Sequence, residues 1–140
     1  MAEVSSAPAI KASVGKVTAV QDGIVVFSPA GTRYEFRLVG SFKGTLNTPV
    51  KCKLRVKARK VYTVPSGGSF VSPIYGPPRI VQGQVRSADN RSLVVQAAGC
   101  AFHVELPVED SGIDLDDGPI YFGRLVNVVC EPGARVEFSS

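Results

Sequence analysis

The densest chemistry in this chain is a row of cations at every second residue, Lys51, Lys53, Arg55, Lys57 and Arg59, followed at once by Lys60. Between them stand Cys52, Leu54, Val56 and Ala58, each small or apolar. Successive side chains of a β-strand face opposite ways, so this spacing sends one row into a core and a row of positive charge into solvent. At about 3.3 Å per residue the five alternating cations would span about 27 Å. Like charges at this spacing repel one another, and a polyanion laid along them removes the repulsion. The chemistry on offer is the holding of phosphates. Arg33 and Arg37 would widen the positive surface, and Tyr34, Tyr62 and Tyr75 supply rings of the kind on which unpaired bases stack. The competing reading of the same row is a sheet edge whose cations block the addition of another strand.

Catalysis has far less to draw on. His103 is the one histidine, set in an alternating stretch with Phe102 and Val104 as neighbours. Cys100 lies three residues before it, which in a regular strand puts thiol and imidazole on opposite faces. No G-x-S-x-G, H-E-x-x-H, P-loop or dinucleotide fingerprint occurs, so the expectation is a non-catalytic protein with no cofactor. Asp114, Asp116 and Asp117 ahead of Gly118 resemble part of a calcium loop, but the bidentate glutamate such a loop needs downstream is missing. No metal is therefore expected. These aspartates are read as an interaction loop that meets the basic row, within the chain or on another copy in a homo-oligomer.

The elements that must carry these residues follow from composition. The chain has 140 residues, 44% of them hydrophobic and 20% charged, with fourteen glycines and ten prolines. Abundant Val and Ile broken by turn residues, with no helical periodicity of useful length, predict an all-β protein of short strands. No run approaches the roughly 20 apolar residues of a membrane-spanning helix, and the first dozen residues lack the apolar centre of a secretory signal. No membrane partner is expected, and residues 1–12 read as a mobile lead. Cys52, Cys100 and Cys130 are odd in number, show no C-x-x-C spacing and sit in apolar runs. They predict buried, reduced thiols in a cytoplasmic protein. The net charge of +4 divides unevenly, with residues 1–79 carrying +9 and residues 80–140 carrying −5.

Sliding the chain on itself by 68 positions lays residues 15–38 on residues 83–106. Gly15, Val17, Val26, Ala30, Gly31 and Leu38 then meet Gly83, Val85, Val94, Ala98, Gly99 and Leu106, while Tyr34 meets Phe102 and Phe36 meets Val104. Each copy predicts five strands, at about 13–21, 24–28, 33–39, 49–58 and 60–64, and again at about 80–88, 92–97, 100–106, 119–129 and 134–138. A glycine inside the first strand of each copy marks a bulge or sharp bend. Three meandering strands, a longer connection and two more, with a bend in the first, resemble the OB-fold. The resemblance is one of strand plan alone and implies two OB-like units, a basic one at 13–64 and an acidic one at 80–140, joined by a Pro/Gly/aromatic linker at 65–79. One larger barrel, or a sandwich of two half-units, is the alternative. The OB-like plan implies binding of nucleic acid or sugar, and the basic strand face with its aromatics points to single-stranded RNA or DNA. The rival expectation is a self-assembly module pairing the basic unit with the acidic loop.

Overall fold

Alternation of buried and exposed residues organises the whole chain into strands. The computed structural model describes residues 12–89, 91–108, 112–115 and 118–138. They form β1 (Ser13–Gln21), β2 (Ile24–Pro29), β3 (Glu35–Val39), β4 (Pro49–Thr63), β5 (Phe70–Ser72), β6 (Tyr75–Gly76), β7 (Ile80–Ala88), β8 (Ser92–Ala97), β9 (Cys100–Glu105), β10 (Ile113–Asp114), β11 (Leu125–Cys130) and β12 (Arg135–Phe138). The protein is all-β, and no helix among the described residues is long and apolar enough to cross a membrane. The predicted lead at 1–12 lies almost wholly outside the described residues.

Local turn chemistry sets the hairpins. Asp22 (φ 53°) with Gly23 (φ 79°), and Ala98 (φ 55°) with Gly99 (φ 73°), place two successive residues in the left-handed region. That is the backbone of a tight turn whose twist matches the strands it joins. Between β7 and β8 the Asp89 carboxylate accepts from the backbone N–H groups of Arg91 and Ser92, each at 2.9 Å, and from the Ser92 hydroxyl at 3.0 Å. These bonds, the one from Arg91 foremost, hold the Asp89 carboxyl below its ordinary pKa.

The two halves repeat one register. Val17 pairs with Phe27 and Val85 with Val95, and each first strand carries a bulge just afterwards, between Val17 and Ala19 and between Val85 and Ser87. All of these positions are related by the offset of 68. Beyond the next turn the repeat slips by two residues. Phe27 pairs with Phe36, whereas Val95 pairs with Phe102, so Phe102 occupies the place of Phe36. The ungapped alignment, which set Tyr34 on Phe102, fails here because β8 and β9 are joined by only the two residues Ala98 and Gly99, and in register the connection from β2 to β3 is two residues longer.

Two cyclic sets of pairings result. One runs β1–β2–β3–β12–β4 and returns to β1; the other runs β7–β8–β9–β4–β11 and returns to β7. Within the first, β12 is parallel to β3 and antiparallel to β4. Within the second, β4 is parallel to β9 and antiparallel to β11. The strand that closes each ring therefore comes from the other half of the chain. β12 belongs to the sequence of the second half yet pairs with β3 and β4, and the C-terminal part of β4 pairs with β9 and β11. One hydrophobic cluster joins the rings, with the Phe36 and Phe102 rings edge to face at 5.8 Å. Phe27, Phe36 and Phe102 are fully buried, each contributing on the order of 2–3 kcal/mol.

Strand limits differ most from expectation in two places, and β3 begins at Glu35 and not at 33. The predicted strands at 49–58 and 60–64 are one strand, β4, because a bulge replaces the turn: Val129 pairs with Lys60 and Cys130 with Ala58, leaving Arg59 as the extra residue. The predicted strand at 119–129 begins only at Leu125, because residues 121–124 form a turn closed by the Arg124 N–H on the Tyr121 carbonyl at 2.9 Å. The linker contributes short strands of its own, β5 on β7 and β6 on β3.

Candidate functional site

β4 is fifteen residues long and passes through both rings. Cys52, Leu54, Val56 and Ala58 are buried in the core, while Lys51, Lys57, Arg59 and Lys60 are exposed and Lys53 and Arg55 half-buried on the opposite face. The bulge at Arg59 shifts the phase, so that Lys60 and Tyr62 face outward while Val61 and Thr63 face in. Both edges of β4 are occupied. One edge pairs in turn with β1, β9 and β10, the other with β12 and β11. These cations therefore do not guard a free edge.

Strand pairing brings new neighbours to the row. Arg55 lies opposite His103 on β9 and opposite Arg135 on β12, so three basic side chains cross the sheet at the usual strand spacing of about 4.8 Å. Lys53 lies opposite Glu137, and Lys57 opposite Glu105. The Arg55 guanidinium forms an ion pair with Glu137, Nε to Oε2, at 3.0 Å. Arg55 chiefly, then Arg135 and Lys53, holds the Glu137 carboxyl below its ordinary pKa. The Glu131 N–H donates to the Lys57 carbonyl at 2.7 Å, fixing the β11–β12 turn against the strand. A groove of about 440 Å³ opens at this crossing, lined by Arg55, Lys57, Arg91 and Arg135 together with His103 and the carboxylates of Glu105 and Glu131. Four cations face two carboxylates there, and with Arg55 also paired to Glu137 a single positive charge remains in excess, so the groove favours an anion.

The other expected site residues divide by position. Arg37 is exposed on β3, and Arg33 lies in the turn before it, so the two do not share a strand face as the predicted limits required. The Tyr34 ring is half-buried 5.3 Å from Phe36, and its hydroxyl accepts from the Val71 N–H at 3.3 Å. That places Tyr34 among packing groups. Tyr62 carries the Lys60 ammonium 6.0 Å from its ring centroid, beside the row. Tyr75 is 65% exposed on β6, along the edge of β3. Asp114 pairs with Tyr62 through β10, so this part of the acidic loop meets the end of β4 within the chain. Asp116 and Asp117 lie outside the described residues.

The cysteines are core groups. Cys52 and Cys100 are buried and Cys130 half-buried, and all three are free. Burial pushes each thiol up to about 12, so at neutral pH they are protonated and not nucleophilic. Cys100 is 2% exposed, whereas His103 lies on the outer face beside Arg55. Among the described residues no group of three or more His, Cys, Asp and Glu is placed to hold a metal ion.

Sequence reasoning missed His103, Arg91 and Arg135 as partners of Arg55, since no local pattern records a pairing between distant strands. It also passed over Tyr121 and Phe122, which are 52% and 44% exposed. Two adjacent aromatics ahead of Gly123-Arg124 were the available signal, masked by assigning them to a strand. No protein-family model, curated protein or solved structure matches this chain.

Proposed function

We propose that this protein binds single-stranded nucleic acid, RNA or DNA, across the outer face of β4, without catalysing a reaction on it. Lys51, Lys53, Lys57, Arg59 and Lys60 hold backbone phosphates, and Arg55 with Arg135 and His103 forms the anionic-ligand groove at the crossing. Tyr62, beside Lys60, and the exposed Tyr75 are the candidates for stacking bases, and Arg37 and Arg33 extend the positive field around β3. The observation that carries this reading is the double-sided pairing of β4. A cationic row on an interior strand has no part in edge protection, and a bound polyanion would relieve the repulsion along it.

The architecture fits the same reading. We take each ring as an OB-like barrel, because its first three strands meander and its fifth lies between the third and the fourth. The buried free thiols suit a reducing, cytoplasmic setting. The assembly alternative draws less support, because Glu105, Glu131, Glu137 and Asp114 already stand beside β4 within one chain.

The test is fluorescence anisotropy of a labelled mixed-sequence oligonucleotide with nuclease-treated protein over a series of salt concentrations. With the five phosphates held by Lys51, Lys53, Lys57, Arg59 and Lys60 neutralised, log K falls against log salt with a slope of about −3.5. The variant Lys53→Glu with Lys57→Glu is expected to bind at least about tenfold more weakly and to flatten the slope by about 1.4. Unchanged affinity in that variant, confirmed as folded by its thermal transition, refutes the reading.

A further inference from the structure

The turn at residues 121–124 lies at the C-terminal end of β4. The Thr63 hydroxyl donates to the Gly118 carbonyl at 3.1 Å, and the Val64 N–H donates to the Leu125 carbonyl at 3.0 Å. The turn is also tied to the bulged part of β7, with the Gly123 N–H on the Val85 carbonyl at 2.7 Å and the Val85 N–H on the Arg124 carbonyl at 2.9 Å. It is thus a braced structure, attached on both sides, and not a loose tip.

Two aromatic rings stand out from this brace, each accompanied by an arginine. The Arg86 guanidinium lies 5.0 Å from the Phe122 centroid, and that of Arg124 lies 5.9 Å from the Tyr121 centroid. Arg86 sits between the two bulge positions of β7, Val85 and Ser87, and its Nε is buried without an acceptor. The Phe122 ring is the neighbour that this guanidinium faces. A cation near the ring attracts its π-face and orients it, while Tyr121 and Phe122 remain exposed residues. Rings held in this way, next to positive charge and on a turn tied to the end of a cationic strand, match the two needs of an unpaired nucleotide, a face for the base and a cation for the phosphate.

We infer that Tyr121 and Phe122 are base-stacking platforms for single-stranded nucleic acid leaving the end of β4, with Arg124 and Arg86 orienting the rings. The inference rests on the nucleic-acid reading of β4 and extends the binding surface onto the second half of the chain. The phosphates follow Lys57, Arg59 and Lys60, and the bases turn onto the aromatic pair beyond Tyr62.

The chain contains no tryptophan, so Phe122→Trp supplies a single emission reporter at the platform. Titration of this variant with a mixed-sequence single-stranded oligonucleotide is expected to quench its emission, whereas an abasic strand of equal length is expected to bind without quenching. Tyr121→Ala with Phe122→Ala should lose about tenfold or more in affinity for the oligonucleotide and keep its affinity for the abasic strand. Quenching that is absent while wild-type protein binds the oligonucleotide, together with an alanine variant that binds as wild type does, overturns the platform and leaves the β4 reading standing. Wild-type protein that binds neither strand sinks the β4 reading, and the platform with it. Self-association lost in the alanine variant, with oligonucleotide affinity unchanged, overturns the platform by making the rings a protein interface.

Discussion

At Gly15 and Gly83 the first strand of each half presses against its neighbour. A Cβ at Gly15 would run into the Ser28 carbonyl oxygen, and one at Gly83 into the Gln96 carbonyl oxygen, positions again 68 residues apart. Backbone cannot yield as a side chain can, so Gly83→Ala is expected to cost about 2–3 kcal/mol, read from urea midpoints. Gly23→Ala meets no atom within 4 Å but must hold φ near 79°, and about 1 kcal/mol is expected there. The thiols make a second prediction at this scale. Their pKa values in the folded protein are raised to about 12 from 9.0, so their contribution to stability is complete below pH 9 and is lost as pH rises toward 12. Stability measured by urea is expected to fall as pH rises from about 9 to about 10.5, and Cys52→Ala with Cys100→Ala should flatten that fall. Both features were legible in sequence, because a glycine inside a strand and a cysteine in an apolar run are local signals. The neighbours of Arg55 were not, because they lie on strands far along the chain.

Among the elements, β4 joins what was readable to what was not. Its alternation was plain from 50 to 58, and the break in phase at Arg59 was visible too, but a break in phase suits a bulge as well as a turn. Pairing with β11 on one edge and β9 on the other carries the strand straight on. β12 then moderates the charge of the row through Glu137. Glu137→Gln is expected to release Arg55, strengthen oligonucleotide binding a few-fold and steepen the salt slope by up to about 0.7. The same contact sets a pH dependence. The Glu137 carboxyl is held below its ordinary range, so the ion pair is complete above that range and is lost as pH falls through the lowered value. Binding by wild-type protein should therefore tighten on acidification through the carboxylate range, and the Glu137→Gln variant should show less of that change.

For the molecule as a whole, exchange of the closing strands is the governing feature. Neither half contains all five strands of its ring, since β12 closes the first and β4 closes the second. Fragments cut at the Gly67-Gly68 step of the linker are expected to copurify when coexpressed and to unfold together in one transition. A single half that is monomeric and unfolds cooperatively by itself would contradict this. The all-β class, the strand faces, the tight turns, the glycine bends and the basic row were settled by the sequence alone, because each depends on residue type and on spacing over a few positions. Which strand closes which ring, and hence which carboxylates and cations surround Arg55, only the tertiary structure decided. A strand's hydrophobic pattern specifies which face is buried but not which strand it pairs with. That choice is made by packing between segments about 50 to 100 residues apart, where the chain must close long loops before any contact rewards it.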